Sequence, residues 1–214
     1  MSEWVLIVLV ALGSYLAGSL PFGVWVTKAW SGVNIREVGS GNIGATNVLR
    51  AAGWRPALAV FMLDAAKGAL PVLAGQWLAA RGGYSATTGL AITLGAGAFA
   101  LLGHTSSVFL GMRGGRGVAT GLGVLTALSW QAGLSGLGVF IIIACLTRVV
   151  SLASIAGAAT TPVFMLVYHR PRAYAIFAAA AAVLVIARHA PNIKRLLRGE
   201  ESRIGGRGKE QPRG

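Results

Sequence analysis

Three stretches of this chain gather residue types suited to holding phosphate. The first is GSGNIGATNVLR, Gly39 to Arg50. Its glycines let backbone N–H groups come close to an anion, and Ser40, Asn42, Thr46 and Asn47 carry hydrogen-bond donors. Arg50 adds a planar cation that can make two parallel bonds to one phosphate. A helix starting near Gly44 would turn its positive end to the same place. Gly39, Gly41 and Gly44 match the dinucleotide-binding spacing, but no strand precedes them and no βαβ unit surrounds them. A polar interfacial loop with helix caps is the plainer alternative. The density of small and amide residues exceeds what capping needs.

The second stretch runs from Gly103 to Gly121. Arg113, Gly114, Gly115, Arg116 and Gly117 form a tight basic turn, with Thr120 just beyond. Exposed N–H groups and two guanidinium groups would make a second anion cradle; the alternative is that the arginines only set topology. His104 lies inside an apolar run, where an ionisable residue is a functional candidate or a hydrogen-bonded link between helices. The third stretch is RHAPNIKR, Arg188 to Arg195. His189 and Asn192 share a helix face if the turn is helical, and Pro191 counts against that. His189 could move a proton or donate to a phosphate oxygen, or the run is a topological basic cluster. Arg148, Ser151 and Ser154 offer further donors or a helix cap. Asp64 and Lys67, at i and i+3 in an apolar segment, read as a structural pair.

The elements that must position these groups are membrane helices. Of 214 residues 55% are hydrophobic and only 12% charged, about half the charge of an ordinary soluble domain. Such a chain cannot cover a water-facing surface. Six apolar stretches are plain: Glu3 to Val26, Pro56 to Ala79, Ser85 to Leu110, Gly133 to Leu146, Leu152 to Tyr168 and Ala173 to Ala187. A seventh, Gly117 to Trp130, is short and rich in Gly and Thr, and either crosses a thinned bilayer or is re-entrant. The expected fold is an all-α polytopic integral membrane protein of about seven transmembrane helices.

Charge sets the orientation. The net charge is +13. With the N-terminus outside, the inner segments hold 15 Lys and Arg and the outer loops 3. That asymmetry places the C-terminus and all three polar stretches on the cytoplasmic side. The first span has no basic leader and reads as an uncleaved anchor. Residues 1–198 are expected to be one transmembrane domain and 199–214 a disordered tail. The basic residues sit in short gaps between apolar runs, which excludes a nucleic-acid partner and leaves anionic headgroups or substrates. Cys145 can form no internal disulfide and reads as a buried apolar residue. Neither a metal nor a cofactor is expected. Mg²⁺ needs carboxylate oxygens, and Glu37, Glu200 and Glu201 are the only inner-face acids before the last residues.

With these residues in view, the chain resembles the acyl-phosphate:glycerol-3-phosphate acyltransferase family. GSGNIGATNVLR (39–50), GHTSSVFLGMRGGRGVAT (103–120) and RHAPNIKRLLRGEE (188–201) look like its three motifs. LDAAKG (63–68) and TRVVSLAS (147–154) resemble further family segments. The family usually has proline at Ser107, an acid at Asn34, and lysines at Arg113 and Arg116. Arginine keeps the charge there but changes the donor geometry.

The resemblance implies transfer of a fatty acyl group from acyl phosphate to the 1-hydroxyl of glycerol 3-phosphate, giving lysophosphatidic acid and phosphate. It also implies that the membrane is the inner membrane of a bacterial cell. The His-x4-Asp signature of acyl-CoA-dependent glycerolipid acyltransferases is absent: Phe109, Tyr174 and Lys194 stand where it would need Asp. In the implied mechanism Ser40, Thr46, Arg50 and Arg116 hold the acyl-phosphate headgroup. His189, Asn192 and Ser154 orient glycerol 3-phosphate, and the acyl chain lies in a groove open to membrane lipids. Gly39, Gly41, Asn42, Asn47, Arg113, Gly114, Gly115 and Ser151 complete the substrate contacts. The hydroxyl proton goes to the substrate's own phosphate. A transporter of a phosphorylated solute is the main rival, disfavoured because the polar groups cluster at one membrane face.

Overall fold

A computed structural model describes residues 2–205. The described chain is helical. In order, α1 is Glu3–Ser19, α2 Phe22–Ser31, α3 Ala45–Ala52, α4 Trp54–Arg81, α5 Ala86–Thr105, α6 Val118–Leu128, α7 Trp130–Thr147, α8 Val150–Val167, α9 Arg172–Arg188 and α10 Ala190–Leu197. A single 3-10 turn, Val108–Leu110, follows α5.

The long helices run between two ends of the molecule. One end is tied by Thr88 Oγ1 donating to Glu3 (2.7 Å) and by Arg170, which binds Ser129 (3.1 Å) and Gln131. The other holds the turns of all three polar stretches. Trp25, Trp30 and Trp54 are exposed near this second end, and Trp4, Trp77 and Trp130 near the first. Two such sets are what paired membrane interfaces attract.

Five segments are long and apolar enough to cross a membrane, or six if α9 and α10, bent by 61°, act as one. Helix α6 has 11 residues, about 16 Å of rise, and falls short of a hydrocarbon core of about 30 Å. The first apolar stretch is also interrupted. Pro21 supplies no N–H to continue the ladder, so α1 stops and α2 starts anew.

Helix pairs pack through small residues. A Cβ on Gly18 would lie 2.1 Å from the Ala100 carbonyl oxygen, and one on Gly123 would lie 1.9 Å from that of Ala65. Such notches let α1 meet α5 and α4 meet α6 backbone to backbone. Cys145, expected inside, is exposed on α7 beside Ile141, Ile142 and Leu146, a face suited to lipid.

Candidate active site

The first polar loop is built around Asn47, which is 2% exposed. Its Nδ2 donates to the carbonyls of Ile35 (3.1 Å) and Val38 (3.0 Å), and its Oδ1 accepts from the Ser40 amide (3.1 Å). Asn47 therefore shapes the loop and does not offer its amide to a substrate, which corrects its expected role. Gly39 is required beside it. The φ is +59°, and a Cβ would lie 2.4 Å from Asn47 Oδ1. Asn42 Oδ1 accepts from the Gly44 amide (3.2 Å), and α3 begins directly afterwards. Gly44, Ala45 and Thr46 line a cavity, so the positive end of α3 faces it, with Arg50 one turn further on.

The second loop departs from the expected cradle. The amide of Gly114 donates to the Thr105 carbonyl (3.2 Å) and that of Gly115 to the His104 carbonyl (3.0 Å). Neither is free for an anion. Their own carbonyls, with that of Thr105, accept from Arg188, whose bond to Thr105 is 2.8 Å. These glycines are needed for close packing: a Cβ on Gly114 would lie 2.0 Å from the His104 carbonyl oxygen. Arg113 is exposed and lines neither this cavity nor the recess beside it. Arg116 does reach the cavity. Burial above all, and then Arg195, Arg50 and Arg188 against the pull of Glu201, lower its pKa. An arginine stays protonated regardless, so the crowding favours an incoming anion.

In the third stretch Pro191 sits in the first turn of α10, where its missing N–H costs nothing. The turn is helical despite it, and His189 and Asn192 both face the cavity. His189 Nδ1 lies 2.7 Å from the Val185 carbonyl, which can only accept. Nδ1 therefore carries the hydrogen, and Nε2 of the neutral ring is left as an acceptor.

Ser40, Asn42, Thr46, Asn47, Arg50, Arg116, Ser151, Ser154, His189 and Asn192 thus line one cavity. Gly41, Gly114 and Gly115 line an adjoining recess that shares Ser40, Asn42 and Arg116. Gly39 lines neither.

The residue that sequence reasoning missed is Glu201. Its Oε1 accepts from Asn192 Nδ2 (2.6 Å) and Ser151 Oγ (2.8 Å), and its Oε2 from Arg195 (2.7 Å). Burial works against its charge, but the hydrogen bonds of Asn192, Arg195 and Ser151 outweigh it and hold the pKa below the usual carboxylate value. Next to it, Arg50 donates to Ser202 Oγ (2.8 Å), and the Ile204 amide donates to the Arg148 carbonyl (2.8 Å). Glu201 and Ser202, within the stretch expected to be a tail, line the cavity. Residues 206–214 of that expected tail lie outside the described residues. The Ser151 hydroxyl and one of the two Nδ2 hydrogens of Asn192 are engaged by Glu201. Asn192 Oδ1 remains buried without a partner among the described residues.

Asp64 also lines the cavity, from α4, and its Oδ1 is 2.8 Å from Lys67 Nζ, the expected buried pair. Lys67 further donates to the Leu20 carbonyl (2.7 Å), which the break after α1 leaves free. On its apolar side the cavity continues into a groove between α6, α7, α8 and α9. The two share Phe61, Val118, Phe140 and Ser154.

Known proteins share this architecture. A family model described as glycerol-3-phosphate acyltransferase matches residues 8–199. A glycerol-3-phosphate acyltransferase of Synechococcus sp. (strain JA-3-3Ab) is 44% identical over 99% of this chain and 100% of its own. One from Synechococcus elongatus (strain ATCC 33912 / PCC 7942 / FACHB-805) is 46% identical over 94% of this chain and 96% of its own. The crystal structure of PlsY (YgiH), an integral membrane glycerol 3-phosphate acyltransferase, in its glycerol 3-phosphate form superposes with a TM-score of 0.84. It is 39% identical and covers 93% of this chain and 96% of that one. Its lysophosphatidic acid form gives 0.82 at 38% identity, over 92% and 94%. Cavity, groove and kinship agree: this chain belongs to the glycerol-3-phosphate acyltransferase family.

Proposed function

We propose that this cavity transfers a fatty acyl group from acyl phosphate to the 1-hydroxyl of glycerol 3-phosphate, releasing lysophosphatidic acid and phosphate. The observation that carries this reading is continuity. A pocket with Arg50 and Arg116 in its wall opens into an apolar groove through Phe61, Val118, Phe140 and Ser154. That combination suits a molecule with a phosphate at one end and a hydrocarbon chain at the other.

Acyl phosphate is a mixed anhydride with an already electrophilic carbonyl. The protein's tasks are to bring the partners together and to stabilise the leaving phosphate. Ser40, Thr46, Arg50 and Arg116 hold the acyl-phosphate headgroup, aided by the N-terminus of α3. The acyl chain lies in the groove. His189 Nε2 and Asn192 Oδ1 are acceptors, so they orient the hydroxyls of glycerol 3-phosphate, with Ser154 nearby. The cavity sits at the cytoplasmic face of a bacterial inner membrane and the N-terminus outside, as the excess of Lys and Arg at that end supports.

The test is direct. Purified protein is given labelled glycerol 3-phosphate with acyl phosphate or with acyl-CoA, with chelator present. Lysophosphatidic acid should form from acyl phosphate alone. Product from acyl-CoA only, or none at all, overturns the reading.

A further inference from the structure

Arg50 and Arg116 have tasks in the proposed chemistry, and Arg188, the arginine of the third stretch nearest to them in the fold, has none. It is the last residue of α9 and directly precedes His189. Its Nε donates to the Gly115 carbonyl (3.3 Å). Its Nη2 donates to the carbonyls of Thr105 (2.8 Å) and Gly115 (3.2 Å) and, more weakly, to that of Gly114 (3.4 Å). No carboxylate pairs with it among the described residues. Backbone dipoles hold this guanidinium instead. Thr105 closes α5, so its carbonyl belongs to the negative end of that helix and has no partner within it. A residue 83 positions away in sequence thus caps α5.

The neighbours of this clamp decide what it controls. On the loop side, Gly115 is fixed at both ends: its amide donates to the His104 carbonyl (3.0 Å), and its own carbonyl accepts from Arg188. Arg116 comes next. Neither its amide nor its carbonyl makes a hydrogen bond among the described residues, so its place depends on the residues that flank it. On the helix side, Arg188 leads into the 61° bend between α9 and α10, which carries His189 and Asn192 into the cavity. One planar side chain therefore joins the backbone beneath Arg116 to the corner that holds His189 and Asn192. Lysine could not replace it. Its ammonium keeps the charge but is a compact point donor, without the rigid fork that spans two carbonyls side by side.

We propose that Arg188 is a positioning residue that sets the distance between Arg116 and the His189–Asn192 corner. The proposal rests on the acyltransferase reading of the same cavity, in which Arg116 holds the acyl-phosphate headgroup and the corner orients glycerol 3-phosphate. Each substrate keeps its own contacts when that distance is wrong, so binding survives. The reacting atoms are misaligned, and an error of about 1 Å costs on the order of 100-fold in rate. The signature is a loss in kcat with KM preserved.

The experiment uses full-length detergent-solubilised protein carrying Arg188→Lys. Both kcat and KM are measured for acyl phosphate and glycerol 3-phosphate, with thermal unfolding as a control. The kcat should fall about tenfold or more, with both KM values within about threefold of wild type. A double-mutant cycle with Arg116→Ala then separates placement from folding. Once Arg116 is gone, Arg188→Lys should cost less than about threefold further. A role in folding alone carries its full cost into the Arg116→Ala background, and that result overturns the proposal. A kcat within about threefold of wild type also overturns it. So does a rise of more than about tenfold in one KM at unchanged kcat, which would make Arg188 a direct phosphate contact in the recess it lines. If Arg188→Lys is not recovered folded, Arg188→Gln is measured by the same criteria, and failure of both to fold overturns the proposal in favour of a role in the folded state alone. Wild-type protein that makes no lysophosphatidic acid from acyl phosphate overturns the acyltransferase reading instead; an active wild type with an additive cycle overturns this proposal alone.

Discussion

The loop before α3 and the loop before α6 look alike in sequence, since both are runs of glycine with arginine. They do opposite things with their backbone. In the first, Asn47 and Asn42 take up the internal bonding and leave the start of α3 open to the cavity. In the second, the amides of Gly114 and Gly115 are bonded to the end of α5, and Arg188 holds their carbonyls. One loop offers an anion a helix end and Arg50. The other offers one side chain, Arg116, on a closely packed support. Glycine can mean an exposed amide or a close approach, and only tertiary contacts separate the two.

The largest expected effect comes from removing the cation of the open loop. Arg50→Ala should lower turnover about 100-fold with the unfolding temperature little changed, measured with labelled glycerol 3-phosphate. Near-normal turnover would break the comparison at its stronger side. Gly115→Ala is the sharpest test of the packed loop. Alanine keeps the N–H, so a phosphate-binding amide would survive the change. A Cβ at 115 would lie 2.2 Å from His104 Nε2, and that clash instead predicts a loss of more than about tenfold in activity, with about 1–3 kcal/mol lost in stability.

Glu201→Gln should cost a few-fold in turnover and remove an acid dependence. The folded-state pKa of Glu201 is depressed. Its stabilisation is therefore complete above the ordinary glutamate value and fades as pH falls through the lowered one. Thermal unfolding of wild type should show that fade below the ordinary glutamate value, and the glutamine protein should not. The smallest effect belongs to Arg113→Ala, which should stay within about twofold in turnover, because its side chain is exposed and outside the cavity.

The helical membrane class and the convergence of three distant stretches were legible because both are patterns of composition. Apolar length announces a helix, and polar residues among such helices have few places to go. The number of spans was less legible, since α6 is apolar but stops after 11 residues. Pro191 misled because a proline that ends one helix can begin another. Glu201 was visible only as an acid in a basic tail; its partners Ser151 and Asn192 lie 50 and 9 residues away and meet it only through folding.

The groove beside the cavity sets a limit on what the protein can measure. Its lining runs from Val118 to Leu125 on α6 and from Ser154 to Thr161 on α8, a depth of about 10 Å. One leaflet of hydrocarbon is about 15 Å deep. On the proposed reading, an acyl tail longer than this extends past these residues toward the lipid, and the prediction is weak selection by chain length. Long donors competing in one vesicle should be consumed at similar rates, and the chain composition of the product should follow whatever donors the cell supplies.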